Sequence, residues 1–323
     1  MKLKCKKILL YFILWVIASL NSVCYLEAYY LTHFSKPPSP DTNGSSWITK
    51  MNIRLFNIPL RKTGNHKTPW DYGLHYKKIM IPSSWNVENY VWEIPWNRDN
   101  LVLLFHGYSS KKENLLTMAK VFVKMGYSVA LTDFPGHGDS NVLWTTLGYR
   151  EAYVVRDLYN YYSKSYKNII LYGYSMGAAS ILRAVGDLGV QPAGIIAEMP
   201  YGSLYHTAVQ RFSMAGSPFT SPLAELLVFW GGVQHGMNGF DLDSIRSAKA
   251  ITVPTLVLGG SDDQKVPSDE LKAIYKNLSC QKKLYIFRGL GHHHLYPFRP
   301  EEYLKILSQF MDTLKSQSFN SST

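Results

Sequence analysis

The sequence feature that most constrains the fold is the stretch Gly173-Tyr174-Ser175-Met176-Gly177, which follows the apolar run 168–172 and precedes a run of small residues. This G-x-S-x-G pattern is typical of a serine on a sharp turn between a strand and a helix. Glycines flank such a turn because its close backbone contacts leave no room for a Cβ. A helix that begins after the serine points free N–H groups and its positive dipole end at the serine oxygen. A motif this short also arises by chance, so the rest of the chain decides its meaning.

Apolar strands alternate with helical patterns on both sides of this turn, which predicts a largely parallel sheet. The first two strands, near residues 78–81 and 90–94, are predicted to pair antiparallel. Buried strands follow at 101–105, 127–131, 168–172, 194–198, 255–258 and 283–287, and helices at 112–124, 148–162 and 301–314. The fold class predicted is therefore α/β: a mostly parallel central sheet flanked by helices, with a short insertion after the sixth strand. A chain of 323 residues with 46% hydrophobic content can bury a core of that size.

The amino terminus has the pattern of a membrane or export segment. Residues 1–7 are basic, residues 8–20 are apolar apart from Ser19, and weaker apolar character continues to Leu26. A helix over 8–26 would be about 28 Å long, just enough to cross the hydrocarbon of a bilayer. Residues 22–24 form a mediocre cleavage pattern, so an uncleaved single-pass anchor is favoured over secretion after signal cleavage. The basic flank predicts a cytoplasmic amino end, with the body on the non-cytoplasmic side, in a periplasm or lumen.

These observations divide the chain into five segments. Residues 1–7 form a basic cytoplasmic region and residues 8–28 the transmembrane anchor or signal segment. Residues 29–70, rich in Pro, Ser, Asn and Thr, are interpreted as a spacer. A folded domain is expected over 71–315, with a lid insertion at about 200–247, followed by a tail at 316–323.

Composition excludes several partners and cofactors. The net charge is +11, but four of the positive charges precede the fold and the rest form no dense basic stripe. No nucleic-acid motif is present, so we predict no nucleic-acid partner, while the basic balance favours anionic membranes. Cys280 is the one cysteine outside the amino-terminal segment, so no internal disulfide is expected. Residues 292–294 are three consecutive histidines without paired carboxylate or cysteine spacing, so we predict no metal and no cofactor.

Five pieces of sequence, in order, resemble the α/β hydrolases, and the resemblance runs from about residue 77 to residue 314. Within that superfamily the chain is most similar to the membrane-anchored, small-lid serine hydrolases of the Bem46-like group. The pieces are the oxyanion loop at 106–107, the D-x-x-G-x-G-x-S loop at 133–140, the nucleophile elbow at 173–177, the acid loop at 260–267 and the histidine loop at 289–292. The family's chain order of serine, acid and histidine is met.

The resemblance implies a serine hydrolase with a catalytic triad. Ser175 would be the nucleophile, His292 the base that takes the serine proton, and Asp263 the acid that holds the imidazole in the right tautomer. Matching loops of the family place the acid four residues before a proline, here Pro267. The oxyanion hole would use the backbone N–H groups of Met176 and Tyr108.

Other residues compete for two of these roles. Asp262 would be the acid after a slip of one residue, and Glu198 lies where some family members carry it. His293 and His294 compete with His292, and the G-x-G-H spacing decides for His292. His106 and His137, in glycine-containing loops, are interpreted as structural residues that bond backbone groups.

The insertion between residues 198 and 255 carries the prediction about substrate. It would cover the carboxyl edge of the sheet, where open α/β folds bind ligands, and its apolar and aromatic content suits an acyl chain. Substrate contacts are predicted for Tyr174, Tyr201, Phe229 and Trp230. The activity expected is cleavage of a small-molecule or lipid ester, thioester or lysolipid through an acyl-enzyme. The alternatives are a non-catalytic binding module on the same scaffold and an S33-type peptidase, which a lid this short disfavours.

Overall fold

A computed structural model describes residues 2–35 and 61–320 of the chain, and its centre is one eight-stranded sheet. The strand order is β1-β2-β4-β3-β5-β6-β7-β8. Strand β2 runs antiparallel to β1 and β4, and every other neighbouring pair is parallel. The strands are β1 (Lys77–Pro82), β2 (Glu88–Ile94), β3 (Asn100–Phe105), β4 (Ser128–Thr132), β5 (Asn168–Tyr174), β6 (Gly194–Glu198), β7 (Thr255–Gly260) and β8 (Lys282–Phe287). The predicted fold class, with its antiparallel opening pair, is confirmed.

Helices cover both faces of this sheet. They are α1 (Lys2–Thr32), α2 (Leu116–Lys124), α3 (Glu151–Tyr162), α4 (Met176–Leu188), α5 (Leu204–Met214), α6 (Thr220–His235), the single turn α7 (Ser244–Ser247), α8 (Ser268–Asn277) and α9 (Pro300–Asn320). Helices α2 and α9 pack on one face, and α3, α4 and α8 on the other. Alternate residues of β3 feed these two cores: Leu101, Leu103 and Phe105 one, Val102 and Leu104 the other. A parallel strand covered on both sides is apolar throughout for this reason.

The insertion between β6 and β7 contains α5 and α6, which we call the lid helices, followed by α7. It comes after the sixth strand, as predicted. Its two longer helices pack against each other, α6 also packs against α1, and α5 reaches α1 through the Arg211–Glu27 pair. The lid helices therefore connect the amino-terminal helix to the domain.

The segment boundaries at the amino end differ from those predicted. Helix α1 begins at Lys2, within the basic region, and continues past residue 28 to Thr32. The residues next to it join the body, since the Phe34 N–H donates to the Leu143 carbonyl at 2.7 Å. The Lys62 ammonium likewise donates to the Val142 carbonyl at 3.2 Å. Both ends of the predicted spacer therefore belong to the folded part, which hydropathy alone does not indicate. The middle of the spacer, residues 36–60, lies outside the described residues.

Candidate active site

Ser175 lies at the turn between β5 and α4, in a backbone conformation that few residues other than glycine adopt. Its φ is +52°, so the local strain is borne by the packing around it. A Cβ on Gly173 would lie 2.5 Å from the Ala178 nitrogen, and one on Gly177 would lie 2.3 Å from the Phe105 carbonyl oxygen. Both glycines of the motif are therefore required by close backbone contact.

The structure brings the three predicted triad residues into one hydrogen-bonded chain. The Nε2 atom of His292 lies 3.0 Å from the Ser175 Oγ, and its Nδ1 atom lies 2.7 Å from the Asp263 Oδ2. Asp263 is only 5% exposed, in the loop after β7. Its other oxygen accepts the N–H groups of Lys265 and Val266, each at 2.9 Å. These bonds orient the carboxylate so that the remaining oxygen faces the imidazole.

The two competing acids lie elsewhere. Asp262 is exposed, and its carboxylate accepts the Ser261 hydroxyl at 2.6 Å. Glu198 is buried and accepts the hydroxyl groups of Tyr172 at 2.8 Å and Tyr303 at 2.7 Å.

Glu198 has a different task, which the sequence does not signal. Its Oε1 atom accepts the N–H of Leu295 at 2.9 Å, three residues beyond His292. The carboxylate thus ties the histidine loop to the end of β6. A buried carboxylate with three donors is satisfied, and losing it would leave those donors unpaired.

The neighbouring histidines do not reach Ser175. The ring of His293 lies 4.2 Å from that of Phe298. The ring of His294 lies 4.0 Å from that of Tyr174, and its Nδ1 atom is 3.9 Å from the Glu198 carboxylate. Burial lowers the pKa of His294, so near neutral pH its ring packs as an uncharged group.

The oxyanion loop after β3 is held by the two histidines interpreted as structural. His106 accepts the Phe134 N–H at Nε2, 2.9 Å away, so its Nδ1 proton points to the Gly107 carbonyl at 2.7 Å. His137 accepts the Ser109 N–H at 3.0 Å by its Nε2 atom and bonds the Pro135 carbonyl at 2.8 Å by its Nδ1 atom. Burial lowers the pKa of both rings, that of His137 to about 3, which keeps this pairing uncharged.

Of the two predicted oxyanion donors, Met176 follows Ser175 in the chain and Tyr108 lies in the loop that packs on Ser175. Met176 is the first residue of α4. A Cβ on Gly107, the residue before Tyr108, would lie 3.4 Å from the Ser175 Cβ, so the loop passes close to Ser175. The Tyr108 side chain turns away and donates its hydroxyl to the Leu31 carbonyl of α1 at 2.8 Å. The oxyanion loop is thereby joined to the amino-terminal helix.

A buried ion pair supports the loop at 133–140. The Lys112 ammonium lies 2.8 Å from the Asp133 carboxylate and 3.0 Å from that of Asp139. Burial, the largest single influence, would raise the pKa of Asp133, but the Lys112 ammonium and the hydrogen bonds that the carboxylate accepts together outweigh it, so the pKa lies below its usual value. A Cβ on Gly138 would lie 2.1 Å from that carboxylate, which accounts for the glycine. Nothing in the helical pattern at 112–124 distinguishes Lys112 from a solvated lysine, so this partner is not found from sequence.

Of the four residues predicted to contact substrate, the structure places only Tyr174 against the triad, with its ring 5.6 Å from that of His292. Tyr201 is buried, and its hydroxyl donates to the Leu147 carbonyl. Phe229 is 51% exposed on the outer side of the lid. Trp230 faces α1, where its indole N–H donates to the Asn21 side chain at 3.2 Å. Helix α6 is apolar on nearly every side, so composition alone does not indicate which residues face the serine.

Within residues 2–35 and 61–320, no group of three histidine, cysteine or carboxylate side chains is placed to hold a metal ion. Ser175, His292 and Asp263 form a hydrogen-bonded chain of a hydroxyl, an imidazole and a carboxylate. That arrangement suits the activation of a hydroxyl for attack on a carbonyl carbon.

Known proteins of similar sequence and structure were compared with this chain. A model of the alpha/beta hydrolase family matches residues 102–306. The uncharacterized protein YqkD of Bacillus subtilis is 23% identical over 74% of this chain and 80% of its own length. The lysophosphatidylserine lipase ABHD12 of Danio rerio is 25% identical, but the match covers 65% of this chain and only 58% of that protein.

Solved structures agree with the sequence comparison. The esterase Pf2001 of Pyrococcus furiosus superposes with a TM-score of 0.65 at 25% identity, over 78% of this chain and 96% of that one. An esterase from Exiguobacterium antarcticum, at 19% identity and a TM-score of 0.55, shares the fold over 73% of this chain. Since the family model covers more than half of the sequence, and the order of the strands and the loops around Ser175 agrees with it, the chain belongs to the alpha/beta hydrolase family.

Proposed function

We propose that the protein is a serine hydrolase that cleaves carboxylic ester-type bonds through an acyl-enzyme on Ser175. The observation that carries this proposal is the hydrogen-bonded chain from Ser175 through His292 to the buried Asp263. Membership of the alpha/beta hydrolase family and the likeness to a Pyrococcus esterase support ester hydrolysis as the class of reaction.

In this mechanism the imidazole of His292 removes the Ser175 proton as the oxygen attacks the ester carbonyl. The tetrahedral intermediate then collapses, the C–O bond to the alcohol breaks, and His292 returns the proton to the leaving alkoxide. Water, deprotonated by the same imidazole, then attacks the acyl-enzyme; the bond from the acyl carbon to the Ser175 Oγ breaks, the acid is released, and His292 returns the proton to Oγ. Asp263 keeps the Nδ1 proton in place and stabilises the imidazolium that forms in each half.

The negative charge of both intermediates would be stabilised by the N–H groups of Met176 and Tyr108. The first lies at the amino end of α4, where free N–H groups and the helix dipole favour an anion. The second belongs to the loop that His106 and His137 hold against the elbow. Loss of one such donor typically costs about 3 kcal/mol of transition-state stabilisation.

For substrate we propose an acyl ester, lysolipid or thioester at a membrane surface. Residues 6–32 form a helix long and apolar enough to cross a bilayer, with the side chains of residues 6–17 almost all exposed. We propose a retained anchor because Cys24, Glu27 and Ala28 pack on the lid, and cleavage near residue 24 would divide that interface. The basic residues before the span favour a catalytic domain on the non-cytoplasmic side. A curated relative that is a lysophosphatidylserine lipase agrees with a lipid ester.

The test is hydrolysis of p-nitrophenyl esters of increasing chain length, beside lysophospholipids and acyl thioesters, by the full chain in detergent. The wild type is expected to hydrolyse at least one class, and Ser175→Ala to abolish that turnover with an unchanged circular dichroism spectrum. Ser163→Ala, which removes a hydroxyl at the end of α3, is the matched control and should keep full activity. Turnover by Ser175→Ala equal to that of the wild type would contradict the proposal.

A further inference from the structure

The carboxyl half of α1 is packed on the lid helices along one side. Cys24 and Ala28 are almost fully buried there, and a Cβ on Gly231 of α6 would lie 3.9 Å from the Ala28 Cβ. The Arg211 guanidinium of α5 donates to the Glu27 carboxylate, with its Nε atom 2.8 Å away. Polar bonds, apolar contact and an ion pair together fix the position of α1 relative to the lid.

The part of α1 that is clear of the lid is short for a membrane span. Its apolar core, residues 8–20 with Ser19 the one polar residue, is about 20 Å long as a helix, whereas the hydrocarbon of a bilayer is about 30 Å thick. The remaining length must come from the turns that follow, and Asn21 and Tyr25 in those turns already touch Trp230. If α1 spans the bilayer from residue 8, α6 would therefore meet it in the last turns of the span, close to the bilayer surface. Tyr and Trp are the residues that membrane proteins concentrate at that depth.

The outer side of the lid carries apolar side chains that residues 2–35 and 61–320 leave exposed or half-buried. Pro222, Leu226, Phe229 and Val233 follow one another at helical spacing on α6, and Phe229 and Val233 are 51% and 53% exposed. Phe219, which precedes the helix, and Met214, at the end of α5, are 66% and 55% exposed. Glu225 is the one acidic or basic residue, histidine aside, in α6. An exposed apolar surface of this kind marks an interaction site.

This surface and the free end of α1 are on the same side of the domain. Residues 33–34 of the chain contact the body, through Trp144 and Leu143, and residues 28, 24 and 21 then contact the lid in turn. Helix α1 thus runs away from the body as it passes α6 and leaves the domain beyond it. The buried side of α6, which includes Ala224 and Val228, faces the body, so its exposed stripe is turned outward.

We propose that the outer lid surface, defined by Met214, Phe219, Leu226, Phe229 and Val233, lies in the interface of the lipid bilayer that α1 spans. Apolar side chains of an interfacial helix sit about 5–10 Å into the boundary between headgroups and acyl chains. The lid, which follows β6 at the carboxyl edge of the sheet, would then face the lipid phase that holds an ester substrate. The inference rests on the proposed membrane anchor, and its test separates the two.

The experiment uses the full chain with its three native cysteines replaced by serine and one new cysteine labelled with an environment-sensitive nitrobenzoxadiazole dye. The protein is reconstituted into phosphatidylcholine vesicles with and without brominated acyl chains. Labels at Phe229→Cys and Val233→Cys should lose about half of their emission to brominated lipid, because apolar side chains of an interfacial helix sit about 5–10 Å into the acyl boundary, within the short range of the quencher. Ile13→Cys, in the span, is the positive control, and Tyr161→Cys, exposed on α3, should lose none.

The outcomes distinguish the inference from the proposal it rests on. Quenching at residues 13, 229 and 233 but not at 161 supports the lid surface as a bilayer contact. Quenching at residue 13 with none at 229 or 233 overturns the inference and leaves the anchor intact. No quenching at residue 13 overturns the anchor. Hydrolysis of a short soluble ester by each labelled protein reports that the domain is folded.

Discussion

The catalytic edge of the sheet and the lid with its amino-terminal helix are built by different kinds of contact. At the catalytic edge the backbone is fixed by hydrogen bonds and by contacts that exclude a Cβ, as at Gly173 and Gly177. In the lid, α5 and α6 are held mainly by apolar side chains, with the Arg211–Glu27 pair at their border with α1. This difference shows that a sequence motif predicts the position of a site only where the backbone geometry requires particular residues.

The acid of the triad gives the largest expected effect on the catalytic edge. Asp263→Asn should lower kcat by about 10⁴-fold, because the amide would favour the wrong tautomer of His292. Asp262→Asn is the matched control at the next residue, and its exposed carboxylate predicts near-normal kcat. The measurement is steady-state hydrolysis of a soluble ester, and equal losses in the two variants would contradict the assignment.

The catalytic edge could be predicted from sequence because the local backbone conformation requires particular residues there. The left-handed conformation of Ser175 and the close approach of Gly177 to β3 require a G-x-S-x-G sequence wherever this turn is used. The supports of that edge were not predictable. Glu198 meets Tyr172 and Tyr303 only after the chain has folded, and no spacing in the sequence connects them.

The hydroxyl of Tyr108 connects the two regions, because it donates from the oxyanion loop to the Leu31 carbonyl of α1. Tyr108→Phe keeps the backbone N–H but removes the bond between the loop and α1, so kcat should fall about tenfold with little change in KM, as misplacement of a catalytic group predicts. Tyr159→Phe removes a similar bond, to the Gln191 carbonyl, away from α1 and should leave kcat unchanged. Equal kcat for Tyr108→Phe and wild type would show that the two regions are independent.

Glu270, in the helix α8 that follows the acid loop, bonds the segment before the lid, since its carboxylate accepts the Gly202 N–H at 2.5 Å. Burial, and secondarily the charge of Asp263, raise the pKa of Glu270 to about 7 from 4.5. Between these values the folded state holds a proton that the unfolded state releases, so this group's stabilisation is present below about pH 4.5 and lost above about pH 7. The free energy of unfolding should therefore fall from pH 5 to pH 8 more steeply in the wild type than in Glu270→Gln.

Denaturant titrations of both proteins at the two pH values measure that difference. Glu301→Gln, an exposed carboxylate at the start of α9, is the control and should follow the wild type. If the free energy of unfolding of Glu270→Gln depends on pH as that of the wild type does, the Glu270 carboxyl does not have the raised pKa expected at this contact.

The smallest effect is expected at the outer lid. Phe229→Ala removes an exposed ring that touches neither Ser175 nor His292 in the structure, so kcat/KM for a short soluble ester should change by less than about twofold, as for most surface substitutions. A loss above tenfold on that substrate would instead return Phe229 to the substrate pocket, where the sequence alone had placed it.

The lid shows why composition alone could not place the substrate residues. Helix α6 reads Thr-Ser-Pro-Leu-Ala-Glu-Leu-Leu-Val-Phe-Trp-Gly-Gly-Val-Gln-His, with apolar residues on nearly every side. One side of this helix packs on the body, a second packs on α1, and a third is the outer lid surface. Trp230 bonds to Asn21 and Phe229 is exposed, although they are neighbours in an apolar run. The periodicity that predicts a helix does not say which partner each side meets.

The central claim is that Ser175 is the nucleophile of an acyl-transfer site, and adduct mapping with a fluorophosphonate tests it most directly. The full chain in detergent is treated with the probe, digested, and its peptides are identified by mass spectrometry. We predict a single phosphonyl adduct on Ser175 and a much slower reaction in His292→Ala, because the imidazole that activates the hydroxyl is gone. An adduct on another residue, or no adduct on folded protein that hydrolyses esters, would contradict the claim.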